Sequence, residues 1–320
     1  MSKKRFILTT VLVIIIAAAL GALLSLYFIT EHYTHSSATI PGGDENRTIL
    51  RWNHFPLTVY IDDSFIPTSP EYVECVRDAL DQWEQTIDFI VFEEVTQSED
   101  HDILVEWVPT LRVGAKDAAG DAETTFLDVG EFGVIQEAEI HLLTKLRKRS
   151  LSTTDMTNIA LHEIGHAIGL EHLANEDAVM HETLLIPSRH VKDITAEEIA
   201  IVEALYEDEP LPDFIFTGSV NGSKYAISNP LITRYYANAS FTIKNAGLVP
   251  ASDVDFILKA DGEEILHDSI LRLRIGEILT ISLANVLAPG DFTTLEIVLD
   301  EGNSIRELNE TNNMIQLVVE

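Results

Sequence analysis

The chain has 320 residues, 46% of them hydrophobic, which is enough for two domains with real cores and excludes disorder throughout. Its 52 acidic residues against 21 basic ones give a formal net charge of -31, which would repel nucleic acid and anionic membrane surfaces. The single cysteine, Cys75, excludes both an intramolecular disulfide and a thiolate zinc cluster.

In chain order, residues 1–5 carry Lys3, Lys4 and Arg5 ahead of an apolar run from Phe6 to Ile29 that is long enough to cross a bilayer core as one helix. Basic residues before the run and acidic chain after it predict a cytoplasmic N-terminus with everything downstream outside. The run exceeds the apolar region of a cleaved signal, and Ser36-Ser37-Ala38 is a weak cleavage site. A single-pass anchor in the cell membrane is therefore preferred over secretion after signal cleavage. Residues 30–48 are polar, contain Pro41-Gly42-Gly43, and form a tether. Asn46, Asn221, Asn238 and Asn309 open glycosylation sequons compatible with an outer-side location.

A first domain is expected over 49–208. Leu57, Val59 and Ile61 alternate as a strand does, and Pro70 opens a helix to about Ile87 that buries Val73, Val76, Ala79, Leu80 and Trp83. Further strands are expected at Phe89–Val95, at Ile103, Val105 and Trp107, and at Ala138, Ile140 and Leu142. A helix from about Asp155 to Ile168 stops at Gly169, and the last one starts at Thr195, where Glu198 completes a capping box. Residues 209–213, with Pro210 and Pro212, form a linker. Beyond it, over 214–320, only short alternating runs occur, broken by turns such as Asn245-Ala246-Gly247 and Asp261-Gly262, as in a small antiparallel sandwich.

The chemistry lies in His162-Glu163-Ile164-Gly165-His166-Ala167-Ile168-Gly169-Leu170-Glu171-His172. Residues four apart share a helix face, so His162 and His166 can present ring nitrogens to one metal ion. Gly169 lets the chain turn sharply and return His172 as a third ligand. Three neutral imidazoles suit one catalytic Zn²⁺ with an open fourth position, and Glu163 is placed to hold a water there as general base. This segment resembles the motif of the metzincin clan, and Ala178-Val179-Met180 follows at the interval of its matrixin branch, making Met180 the methionine of a turn beneath the metal.

The resemblance extends over roughly residues 49 to 208. It implies an α+β fold, a mixed twisted sheet plus three helices, preceded here by one transmembrane helix and followed by an all-β immunoglobulin-like sandwich. It also implies a zinc endopeptidase acting on a protein or peptide substrate. The substrate is expected to pair with an edge strand around Ala138 to Leu142, and Met180 to Val191, with Leu184, Leu185 and Ile186, to wall an apolar pocket.

Departures from the matrixin pattern carry consequences. Cys75 falls inside a helix, which argues against a cysteine switch, and the region Gly114 to Asp128 has no histidine for a structural zinc. Asp117, Asp121, Glu123 and Asp128 are oxygen donors suited to calcium, although solvated carboxylates are the preferred reading. His101, His141 and His190 are read as ordinary polar residues. The C-terminal run Glu307-Leu308-Asn309-Glu310-Thr311-Asn312-Asn313 resembles the closing run of the CARDB module of prokaryotic surface proteins, implying adhesion or spacing and a cell-surface partner. The alternative function is an adhesion scaffold whose zinc domain is inactive.

Overall fold

A computed structural model describes residues 33–36 and 49–319 apart from 66–70, 100, 114–115, 131 and 147–148. The expected membrane helix Phe6–Ile29, residues 1–5 and most of the tether lie outside the described residues. No helix among those described is long and apolar enough to cross a membrane.

The first domain is built from β1 (Tyr33–Ser36), β2 (Ile49–Arg51), β3 (Leu57–Asp62), α1 (Glu71–Thr86), β4 (Phe92–Val95), β5 (Ile103–Val108), the two-residue ladder of β6 (Arg112–Val113) with β7 (Lys116–Asp117), β8 (Gly120–Asp128), β9 (Phe132–Leu143), a second short ladder of β10 (Lys145–Leu146) with β11 (Arg149–Ser150), α2 (Thr153–Ala167) and α3 (Ala196–Leu205). The main sheet runs β1-β8-β9-β5-β3-β4, with β2 pairing β9. Its β9, β5, β3 and β4 are mutually parallel, and β8 is antiparallel to β9. The mixed sheet with three helices is thus present as expected.

Alternation decides which side chains are inside. On β3 and β5, Leu57, Val59, Ile103, Val105 and Trp107 are buried, while their sequence neighbours point away. The amphipathic α1 lays Val76, Ala79, Leu80 and Trp83 on that core and packs against α2. Trp83 secures the pair by donating its indole N–H to the Leu161 carbonyl at 3.1 Å. Cys75 is buried within α1.

One expectation is corrected. Ala138, Ile140 and Leu142 do not form an edge: β9 is flanked by β8 on one side and β5 on the other, so its backbone groups are engaged in both ladders. The strand outside it is β8, and β1 lies along the outer side of β8.

The second domain is an antiparallel two-sheet sandwich. One sheet orders β12 (Phe214–Ser228), β13 (Thr233–Asn245) and β16 (Ile278–Ala288); the other orders β15 (Glu263–Leu273), β14 (Ala251–Ala260), β17 (Thr294–Leu299) and β18 (Met314–Val318). Phe214, Phe241, Ile243, Phe256, Leu258, Ile297 and Leu299 fill the space between them. The closing run has a structural role: buried Glu307 accepts the Phe214 N–H at 2.7 Å and the Asn313 side-chain N–H at 2.6 Å, fastening the start of β12. The sandwich also meets the turn between β8 and β9, where Leu248 is buried with Val129 and Val134 and its carbonyl accepts from the Asn53 side chain at 2.8 Å.

Candidate metal centre

Ser152 and Asp155 start α2 with a reciprocal capping box, absent from the expected cap signals but built as Thr195 and Glu198 build that of α3. The Asp155 carboxylate also accepts the Ser188 N–H at 2.6 Å, which ties the head of the helix to the loop beyond Met180. At the far end Gly169 takes φ +97, a left-handed conformation that ends the helix. A side chain there would meet the Leu50 carbonyl oxygen at 2.4 Å. The freed carbonyls of the last turn are accounted for: Ala167 accepts from the Trp52 indole at 2.8 Å, and Ile168 from the Tyr206 hydroxyl at 2.9 Å.

This turn brings back His172. The Nε2 atoms of His162, His166 and His172 lie 3.2 Å from one another in all three pairs. Among the described residues these three are the one group of at least three His, Cys, Asp or Glu donors at metal-binding spacing. The triangle fits zinc, because three donors bound at zinc–nitrogen distance around a tetrahedral ion sit roughly 3.3 Å apart.

The proton positions agree. His162 Nδ1 is 2.8 Å from the Val179 carbonyl and His166 Nδ1 is 2.8 Å from the Leu170 carbonyl. Carbonyls only accept, so each Nδ1 carries the hydrogen and each Nε2 turns a lone pair inward. Two lone pairs facing each other at 3.2 Å repel, and a cation between them removes the repulsion. Burial pushes the His162 imidazole down to about 4 and the His166 imidazole well below its usual range, so both are neutral at pH 7, the form that binds metal.

Glu163 is 6% exposed, and burial raises its carboxyl well above the usual range, with the Asp121 charge adding in the same direction. Its neighbour across the site is Gly120 at the start of β8: a Cβ there would lie 2.4 Å from Glu163 Oε1 and 2.7 Å from Glu163 Cγ. Met180 is fully buried, and its sulfur packs on α2 so closely that a Cβ on Gly165 would sit 2.2 Å from Sδ. The Met180 N–H donates to Glu198 Oε1 at 2.8 Å, while Glu198 Oε2 caps α3. The three expected ligands are therefore brought together, with Glu163 beside His162 on α2 and Met180 packed against the same helix at Gly165. Glu198, Gly120 and Gly165 were not anticipated: a capping box reveals only one use of Glu198, and a glycine inside a strand or helix gives no sign of what it lies against.

The remaining acidic candidates do not gather. Asp121, Glu123 and Asp128 lie along β8, none in a group at metal-binding spacing, and the Asp117 side chain lies outside the described residues. His141 faces Glu106 at 3.3 Å and His101 faces Glu137 at 3.2 Å. Of the expected pocket wall, Leu184 and Ile186 pack against the core, while Leu185 is 81% exposed.

Comparison with known proteins agrees with this geometry. The matrixin family model matches residues 51–207 and the CARDB model residues 212–316. Metalloendoproteinase 1-MMP of Arabidopsis thaliana is 26% identical over 226 residues, covering 66% of this chain and 56% of that protein. Metalloendoproteinase 4-MMP of the same plant is 32% identical over 76 residues, 24% of this chain and 22% of the relative. The chain thus spans little more than half of the first relative's length and less of the second. Residues 51–207 thus form a matrixin domain, the domain of a zinc-dependent metallopeptidase family, and residues 212–316 form a CARDB domain.

Proposed function

We propose that the chain is a zinc metalloendopeptidase that cleaves protein or peptide substrates on the outer side of the cell membrane, held there by Phe6–Ile29. The observation carrying this reading is the triangle of Nε2 atoms 3.2 Å apart with Glu163 one residue from its first member. His162, His166 and His172 would hold one Zn²⁺. Bound there, zinc supplies a Lewis acid with an open position for water and for the carbonyl to be attacked.

The protein's own groups do the rest. The Nδ1 donations to Val179 and Leu170 fix the rings and hold their lone pairs toward the centre. Glu163 takes a proton from water and returns it to the departing amine, and burial raises its proton affinity above that of an ordinary carboxylate. Gly120 leaves the space this carboxylate occupies. An extended substrate pairs by strand addition along the outer side of β8, where it takes the place of β1.

The anchor and the outer-side placement rest on the apolar run and its basic flank. Proteolytic shaving of intact cells should remove the domains and leave the N-terminal segment; protection of the whole chain contradicts that placement. For the activity, the full chain in detergent is assayed on casein, quenched peptides and ester substrates. Peptide cleavage lost to a chelator and restored by zinc is expected. Cleavage of esters alone would assign a different hydrolase, and zinc binding without any turnover would favour the adhesion scaffold.

A further inference from the structure

The sandwich distributes its charge unevenly. Although 52 of the 320 residues are acidic, no Asp or Glu occurs between Asp213 and Asp253, nor between Glu277 and Asp291. Those two stretches contain all of β12, β13 and β16, so one complete sheet of the domain lacks an acidic residue, whereas β14, β15 and β17 carry several. Lys224, Arg234 and Lys244 lie in the acid-free sheet. The chain's excess negative charge opposes contact with a surface of like sign, and this sheet carries none of that excess.

The far end of that sheet is apolar. The β12–β13 hairpin starts and finishes beside the linker, with Phe214 opposite Asn245, and turns at the opposite end between Ser228 and Thr233. At this tip Leu231 is 96% exposed, Ile227 55% and Ile232 50%, and Leu287 of the adjoining β16, opposite Tyr236, is 56% exposed. One row behind the tip, Tyr225 and Tyr236 stack at 5.1 Å with 15° between their planes, and the Tyr225 hydroxyl donates to Asn285 Oδ1 at 2.5 Å. Aliphatic side chains in front, amphipathic tyrosines behind them and a cationic Arg234 alongside reproduce, over one hairpin, the order of groups met on entering a bilayer from water.

We propose that this hairpin tip is a membrane-contact site: Leu231, Ile232 and Ile227 enter the acyl boundary of a bilayer, while Tyr225, Tyr236 and Arg234 lie at the headgroup level. The acid-free sheet gives the tip a local surface that phospholipid headgroups do not repel, in a chain whose net charge of -31 opposes approach elsewhere. Contact by a few inserted side chains is reversible, so the tip orients the domain at a surface without serving as an anchor. This inference is independent of the peptidase reading and needs no turnover to test.

Cys75 is the sole cysteine and is 3% exposed, so a Leu231→Cys variant of the full chain can be labelled at the tip alone with an environment-sensitive fluorophore. A Ser269→Cys variant labels the exposed opposite sheet. On phosphatidylcholine vesicles the tip label should brighten at least about twofold and be quenched by nitroxides on the acyl chains, with the Ser269 position unresponsive. Adding Ile232→Asp and Ile227→Asp to the labelled chain should abolish the response. A larger response on vesicles containing phosphatidylglycerol would assign part of the contact to Arg234 and supports the proposal, as does an equal one. A tip label that stays accessible to aqueous iodide on both vesicle types overturns it. Concentration-dependent brightening without vesicles also overturns it, assigning the tip to a second copy of the chain.

Discussion

Replacing Gly120 by alanine tests the proposed geometry without touching a metal ligand or the carboxylate itself. The added Cβ would lie 2.4 Å from Glu163 Oε1, 2.7 Å from Glu163 Cγ and 2.7 Å from Ile159 Cγ2. Ordinary contact begins near 3.4 Å, so the carboxylate or strand β8 must yield by about 1 Å. Glu163 is buried on α2 beside Ile159, which is 1% exposed, and packing leaves neither an easy retreat. A misplacement of this size in a proton-transfer group corresponds to roughly a 100-fold loss of turnover, and overpacking costs about 1–3 kcal/mol of stability. The assay is kcat and KM on a quenched peptide, with zinc stoichiometry and the urea midpoint measured on the same preparation. Turnover should fall about 100-fold with zinc content unchanged, because the atoms nearest the added Cβ belong to Glu163 and Ile159 and not to the histidines. Turnover within twofold of the parent would show that Glu163 does not act from the position described.

Other perturbations follow from the same packing. Glu198→Ala removes the acceptor of the buried Met180 N–H and half of the α3 capping box, so a loss of about 2–4 kcal/mol is expected by urea unfolding, with weaker zinc retention; an unchanged midpoint would contradict it. Leu248→Ala should cost about 2–5 kcal/mol and speed proteolysis within 209–213, since Leu248 is wholly buried against Val129 and Val134; unaltered proteolysis would show that the domains do not depend on this contact. Glu307 is pushed up to about 7, chiefly by burial, against an ordinary value of 4.5. The folded state therefore binds its proton more tightly than the unfolded state, and this contribution to stability is present at pH 4.5, then lost as pH rises through 7. Glu307→Gln should flatten the decline of stability between pH 5 and pH 8, by up to about 1 kcal/mol per pH unit; a parallel decline in parent and variant would reject the assignment.

Much of this was legible in the sequence because local rules and tertiary structure agree. The i, i+4 spacing of His162 and His166, the glycine that ends α2 and the capping box at Thr195 are short-range signals, and each element formed where they placed it. The alternation at Leu57, Val59 and Ile61 marked a strand for the same reason. What escaped was long-range. Strand β8 turns Ala122, Thr124 and Phe126 inward, a pattern too small and polar to stand out as apolar alternation, so its acidic outward residues looked like a loop. With β8 unseen, β9 became the apparent edge of the sheet. Gly120 and Glu198 owe their roles to contacts with Glu163 and Met180, distant in sequence, which no local pattern reports. Nor could periodicity show that Leu248 of one domain closes over the β8–β9 turn of the other.

The central claim is that three imidazoles hold the metal while Glu163 moves the proton. Zinc content and peptide turnover measured together on the parent and on Glu163→Ala test it most directly. The account predicts about one zinc per chain in both proteins and loss of nearly all turnover in the variant. Undiminished turnover with zinc bound, or no zinc in the parent, would contradict it.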